Sequence, residues 1–287
     1  MKVISLVSTK GGVGKTTAAA NLGGFLADAG LRVLLLDLDV QPTLSSYFAV
    51  PERAAGGSYE LLAHNEQRLE QLISHTAVAH LDLVASNDFR GQLNTLLLHA
   101  PDGRLRLRHL LTVFRPHYDL MLVDTQGARS VLLEMAVLAS DLAVSPVTPE
   151  ILAARELHRG TLQLLREIEP FRQWGIEPPP LRLLINRVPS ISSNARLIQQ
   201  ALHQVIRDEP GVTPLETHIP AIEAYPRAAT QALPVHRLEH RRPSGRAAPA
   251  AIETMRSLAG ELFPQWQPLF AHVTGRAAPH TLRQAHG

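Results

Sequence analysis

The sequence predicts an α/β protein, with a mostly parallel, twisted sheet carrying helices on both faces. Three observations predict it. Short β-branched or leucine-rich runs alternate with helical stretches along the chain. Those runs are continuously apolar, which marks interior parallel strands covered on both sides. A glycine-rich loop, Lys10-Gly11-Gly12-Val13-Gly14-Lys15-Thr16-Thr17, joins the first such run to the first helical stretch.

The elements follow in order. Lys2–Val7 is a short β-branched strand. Thr16–Ala29 is rich in alanine and leucine at helical spacing, with Gly30 as its stop. Leu31–Leu36 is a buried strand ending at Asp37. Leu81–Ala85, Leu120–Val123, Leu142–Val147 and Leu181–Ile185 repeat the pattern, each followed by polar or Gly/Pro punctuation and a helical stretch. Pro178-Pro179-Pro180 is a rigid connector. Beyond Phe263, Pro264, Pro268 and Pro279 interrupt any long helix. The reading is one domain over 1–263 and a loosely held tail over 264–287. Ligands bind at the carboxyl ends of parallel strands. The glycine loop, Asp37 with Asp39, Asp124 and Asn186 each follow a strand, so they should converge on one edge.

Composition narrows the function. The chain of 287 residues has no cysteine, which excludes disulfides, cysteine-ligated iron–sulfur clusters and zinc–thiolate sites. The apolar region Val131–Val147 contains Glu134 and Asp141 and does not read as a membrane span. A cytoplasmic protein is expected. Net charge is +2 but uneven: from Tyr225 onward eight arginines face three glutamates, a balance of +5. A basic segment on a slightly acidic body points to an anionic partner, nucleic acid first. Lysine occurs only at Lys2, Lys10 and Lys15, against 25 arginines. Lysine is a compact point charge where arginine is a broad fork, so a chain that keeps two lysines in one glycine loop is using that compactness.

The loop has the context of a phosphate cradle, after a strand and opening a helix. Glycines let the backbone approach phosphates, successive N–H groups point inward, and the helix N-terminus adds partial positive charge. Gly11, Gly12, Val13, Gly14, Lys15, Thr16 and Thr17 form the cradle. Lys15 should meet the β- and γ-phosphates and Thr16 should offer its hydroxyl to Mg²⁺. The strict pattern asks for glycine at position 9, where this chain has Thr9.

This variant loop resembles the deviant Walker A motif of the ParA/MinD family of P-loop ATPases. Asp37-Leu38-Asp39-Val40-Gln41-Pro42 resembles the family's Asp-x-Asp-Pro-Gln segment. Leu120–Gly127 resembles its Walker B strand, and Leu184-Ile185-Asn186-Arg187 the strand end that meets adenine. Ile219-Pro220, Ala232–Val235 and Leu258–Leu262 resemble its C-terminal segment. The resemblance covers roughly residues 1–263. It implies ATP and Mg²⁺ as cofactors. It implies that Lys10 reaches across a nucleotide-sandwich dimer to the partner's ATP, as an arginine finger does. Asp39 would orient the attacking water, Asp37 would support the Mg²⁺ shell, and Asp124 would hold Mg²⁺ through water. Asn186 would read adenine. Two positions depart from the pattern. Val40 replaces the proline, which follows Gln41 instead, and Gln126 stands where Walker B usually has proline, with Gly127 next to it.

Among ParA-type relatives, basic residues on the ATP-bound dimer hold nonspecific DNA. Arg227, Arg237, Arg241, Arg242 and Arg246 are the candidates here, because arginine suits phosphate. His236 and His240 are spaced i, i+4 but lack a third metal ligand and read as an exposed pair. The resemblance implies a slow, Mg²⁺-dependent ATPase that forms an ATP-dependent homodimer and binds DNA. With a ParB-like partner that stimulates hydrolysis, it would partition a plasmid, chromosome or mobile element. The expected place is the nucleoid-associated cytoplasm, with no membrane partner. The alternatives are a MinD-like membrane switch, which would end in a lysine-rich amphipathic helix, and a positioning factor for another cargo.

Overall fold

The protein's structure, a computed structural model, describes residues 1–150, 153–189, 204, 206 and 209–275. Nine strands are present among the described residues. These are β1 (Lys2–Leu6), β2 (Val33–Asp37), β3 (Ser74–His75), β4 (Leu81–Val84), β5 (Leu120–Asp124), β6 (Leu142–Val147), β7 (Leu181–Val188), β8 (Val212–Pro214) and β9 (Ile219–Pro220). They form one sheet in the order β3-β4-β2-β5-β1-β6-β7-β8, with β9 beside the far end of β7. Every pairing is parallel except β3 with β4. The six strands expected from apolar runs are all there. β3, β8 and β9 have only two or three residues each and no apolar run to announce them.

Strand alternation explains why the runs read as continuously apolar. Val33 and Leu35 of β2 point into a core shared with the first helix, while Leu34 and Leu36 point into the core on the opposite face. Both faces are covered, so neither set is polar. A third cluster joins β6 and β7 to the helices that follow Ala153.

Helix α1 (Lys15–Asp28) lies on the first face. It is buried nearly all round because the sheet lies on one side and the helix Ala251–Leu262 on the other. Small residues permit this. A Cβ on Gly23 would press on Leu35, and one on Gly24 would overlap the Pro234 ring. Asn21, fully buried in this helix, donates Nδ2 to the Thr17 carbonyl (2.8 Å) and the Tyr47 hydroxyl (2.8 Å). Its Oδ1 accepts the Val235 N–H at 2.7 Å. One side chain thus ties α1 to the loop after β2 and to the C-terminal segment.

The boundary expected at residue 263 does not hold for the residues just beyond it. Phe270 and Val273 are buried in the first core. Arg256 donates to the carbonyls of Phe270 (3.1 Å) and Val273 (2.9 Å). Pro264 and Pro268 do not end the packing because each sits in the first turn of a short helical segment, where a missing N–H leaves no bond unmade. Residues 276–287 of the expected tail lie outside the described residues. Among the described residues, no helix is long and apolar enough to cross a membrane.

Replacing Asn21 by alanine leaves the buried Val235 N–H without a partner. This should cost about 1–3 kcal/mol of stability, measurable as a lower urea midpoint at unchanged slope.

Candidate functional site

Register brings the site together. Leu6 and Asp37 both pair with Asp124, so β1, β2 and β5 end at one level. The loop leaves β1 at this edge. Gly12 and Gly14 take left-handed backbone (φ 74° and 96°), which only glycine adopts without strain. Gly14 precedes α1, and its missing Cβ leaves room for the Asn186 amide. Gly11 and Gly12 are exposed and Val13 is buried.

Lys15 is 6% exposed at the start of α1, and its Nζ lies 3.5 Å from the Lys10 carbonyl. Burial lowers its pKa, against the opposing pull of Asp124 and Asp39. Asp124 is fully buried at the end of β5. Its Oδ2 accepts a 2.6 Å hydrogen bond from the Thr16 hydroxyl, while its Oδ1 is buried with no hydrogen-bond partner. Burial pushes the carboxyl up to about 7. The Thr16 bond and Lys15 resist that shift, and Asp37 adds to it by repulsion. An unpartnered buried carboxylate oxygen beside a threonine hydroxyl is a hard-oxygen donor set, and it fits Mg²⁺.

Asp37 differs. Its Oδ2 accepts from the Ser45 N–H (2.8 Å) and hydroxyl (2.7 Å), and its Oδ1 accepts from the Asp39 N–H (3.1 Å). Burial raises its pKa to about 6 despite these bonds. Both oxygens are occupied in shaping the segment that carries Asp39. Asp37 thus organises the segment, and Asp124 has the oxygen without a hydrogen-bond partner. Asp39 is half-buried, its Oδ1 accepting from the Gln41 N–H at 3.0 Å and its carbonyl accepting from the Ser86 hydroxyl at 2.6 Å. The turn at Val40 is therefore closed by the Asp39 side chain without the family's proline. At the other departure, Gly127 backs directly onto Lys10 and Gly11, where any Cβ would collide with backbone.

Asn186 stands at the expected edge but is 4% exposed. Its Nδ2 donates to the Val13 carbonyl (2.7 Å) and its Oδ1 accepts from the Arg187 N–H (2.9 Å). Its first task is to brace the loop. It also lines a cleft of about 380 Å³ with Thr17, Arg187, Ile219, Pro220 and Tyr225.

The five arginines separate into two groups. Arg227, Arg241 and Arg242 are exposed. Arg237 makes a two-pronged pair with buried Asp28 (2.7 and 2.6 Å), and Arg246 makes one with Glu239 (2.8 and 2.6 Å). Burial opposes the charge on Asp28, but hydrogen bonds from Arg237 and His236 outweigh it and hold its carboxyl below the ordinary range. Arg237 and Arg246 are structural, a correction to their expected place on a DNA-facing surface. His236 is fully buried, its Nε2 2.8 Å from Asp28, and so is not half of an exposed pair. No spacing rule links Asp28 to Arg237, which lie 209 residues apart. Sequence reasoning also missed Ser45, Ser86 and Asn21, small polar residues whose partners are supplied only by the fold.

A family model described as an AAA domain matches residues 1–176. The chromosome partitioning protein ParA of Myxococcus xanthus is 30% identical over 206 residues, covering 71% of this chain and 70% of that protein. An uncharacterised protein of Mycobacterium tuberculosis is 31% identical over 157 residues, covering 54% of this chain; the chain spans about half (49%) of that relative's length. Among solved structures, an ATP complex of McdA from Cyanothece superposes with a TM-score of 0.75 at 19% identity, covering 94% of this chain and 96% of that one. At that identity the likeness concerns the fold alone. The glycine loop with its two lysines, the strand-end carboxylates and the match over the first 176 residues agree: the chain belongs to the ParA/MinD family of deviant Walker A ATPases.

Proposed function

We propose that this protein is a Mg²⁺-dependent ATPase switch that forms a nucleotide-sandwich homodimer, binds DNA nonspecifically and partitions a replicon with a ParB-like partner. The observation that carries the reading is the division between the loop's two lysines. Lys15 is buried beside Asp124 and Thr16, while Lys10 stands at the rim next to exposed Gly11 and Gly12. That division supports a role for Lys15 at the chain's own nucleotide and for Lys10 at something arriving from outside.

The roles follow from chemistry. Loop N–H groups and Lys15 neutralise the phosphates. Thr16 and Asp124 hold Mg²⁺, which when bound supplies charge neutralisation at the β- and γ-phosphates. Asp39, carried on the segment organised by Asp37 and Ser45, orients the attacking water. Asn186 and the cleft beside it receive adenine. Arg227, Arg241 and Arg242 contact DNA phosphates, and pairing two protomers doubles their number. Hydrolysis serves to undo the interface. The match to a chromosome partitioning ParA supports this reading over a membrane switch.

Lys15→Ala should weaken ATP binding by about 30-fold or more, the scale of removing one partner of a buried charge pair. Lys10→Ala should keep ATP binding but lose dimerisation and turnover. Fluorescent-nucleotide titration and sedimentation velocity separate the two, and tight ATP binding by Lys15→Ala would refute the cradle assignment.

The carboxylates give a pH signature. Asp37 and Asp124 have folded pKa values raised to about 6 and about 7, above an unfolded value of about 3.9. The folded state therefore binds more protons between about pH 4 and pH 7, and stability falls as pH rises through that window. Nucleotide-free protein should lose on the order of 1–3 kcal/mol between about pH 5 and pH 8. Asp124→Asn should flatten the dependence, as read by urea denaturation at each pH.

The ATP-loaded Asp39→Ala protein should cosediment with random duplex DNA and not with anionic liposomes. Six contacts from three arginines on two protomers predict a fall of about 10³-fold in affinity between roughly 50 and 200 mM salt. Liposome binding, or DNA binding indifferent to ATP and salt, would count against partitioning.

A further inference from the structure

Lys10, the cation assigned to the partner's nucleotide, is already engaged within its own chain. Its Nζ lies 3.1 Å from Glu150 Oε2 and 2.9 Å from Glu156 Oε2. Side-chain exposures of 34% for Lys10, 59% for Glu150 and 44% for Glu156 put the cluster at the rim, open to an incoming surface. Hydrogen bonds to Glu156 and then Glu150 raise the Lys10 pKa, and the bond from Lys10 holds Glu150 below the ordinary carboxyl range. Arg187, at the strand end beside the cleft, contributes to the same lowering of Glu150.

The helical segment carrying Glu156 is itself keyed to the loop. Glu150 follows β6, and Glu156 lies in the helical segment Ala153–Leu157, which runs into a π-helical turn, His158–Leu162. Such turns insert one residue into a helix and recur at functional sites. This one presents Gly160 to Thr9, where any Cβ would overlap the threonine side chain. Thr9 is the position at which the loop departs from the strict glycine pattern. Adjacent loop residues thus meet the chain that follows β6: Thr9 by the close backbone approach of Gly160, and Lys10 by Glu150 and by Glu156 of the helical segment.

We propose that Glu150 and Glu156 are positioning residues that hold Lys10 in cis until a nucleotide-loaded second copy of this chain displaces them, so that the pair sets the threshold for dimerisation. The proposal rests on the sandwich-dimer reading above. Both carboxylates engage the one ammonium, so Lys10 must leave both before it can meet a partner's phosphates. The exposed pairs are individually weak, so the hold is reversible. Release of Lys10 toward a triphosphate exchanges two single charges for a denser one.

With only three lysines in the chain, ¹³Cε-lysine NMR resolves Lys10 directly in the nucleotide-free full chain, with Lys10→Ala assigning its signal. The Lys10 signal should titrate above the ordinary lysine range. It should return toward that range in Glu150→Gln/Glu156→Gln and be partly restored in Glu150→Asp/Glu156→Asp. A titration indifferent to the glutamine changes would overturn the cis hold. In sedimentation velocity with Mg²⁺ and a non-hydrolysable ATP analogue, the double glutamine variant should dimerise at about tenfold lower protein concentration than the parent. Equal or weaker dimerisation would overturn the threshold role. Absence of dimers from both proteins, with ATP binding and the lysine shift intact, would sink the sandwich reading and the threshold role together while leaving the cis contact standing.

Discussion

The 2.6 Å hydrogen bond from Thr16 to Asp124 is the contact on which the site depends. It joins the first turn of α1 to the end of β5, and so sets the loop against the sheet. It can form only because β1, β2 and β5 end at the same level, with Leu6 and Asp37 both in register with Asp124. A slip of one residue would turn Asp124 to the other face of the sheet. The register also concentrates charge. Two carboxylates and a lysine are buried close together, where burial raises the acids and lowers the amine. The site is electrostatically uncomfortable without an anion and a cation to share its charges, and that discomfort is the physical basis for binding both.

Asp37 and Asp124 illustrate how neighbours, not residue type, assign a role. Both end parallel strands, both are fully buried and both are raised in pKa. Ser45 and the Asp39 N–H occupy the oxygens of Asp37, which makes it a brace for the segment bearing Asp39. Asp124 keeps one oxygen unpartnered. The same logic divides the arginines. Arg237 and Arg246 are committed to Asp28 and Glu239, while Arg227, Arg241 and Arg242 face solvent.

The C-terminal segment is part of this machinery because α1 connects them. Asn21 bonds Tyr47, in the loop after β2, and Val235, at the head of the short helix before the exposed arginines. Asp28 at the far end of α1 anchors His236 and Arg237. The helix that begins at the phosphate loop thus holds the basic segment at two points. A change at the loop has a physically continuous route to that surface, through packed and hydrogen-bonded groups.

Local patterns determined a good deal of this protein. Apolar runs located six strands, because interior parallel strands are buried on both faces. The glycines, Lys15 and Thr16 announced the loop, because a phosphate cradle needs backbone without side chains and a compact cation. Strand-end positions foretold that Asp37, Asp39, Asp124 and Asn186 share one edge. Only the tertiary structure decided what each group does there. Lys10 meets Glu150 and Glu156 across 140 residues or more, Asn186 meets the Val13 carbonyl across 173, and Arg237 meets Asp28 across 209. A side chain's role is set by the partners that fill its donors and acceptors. Partners that distant are chosen by how the layers pack, about which local sequence carries no signal.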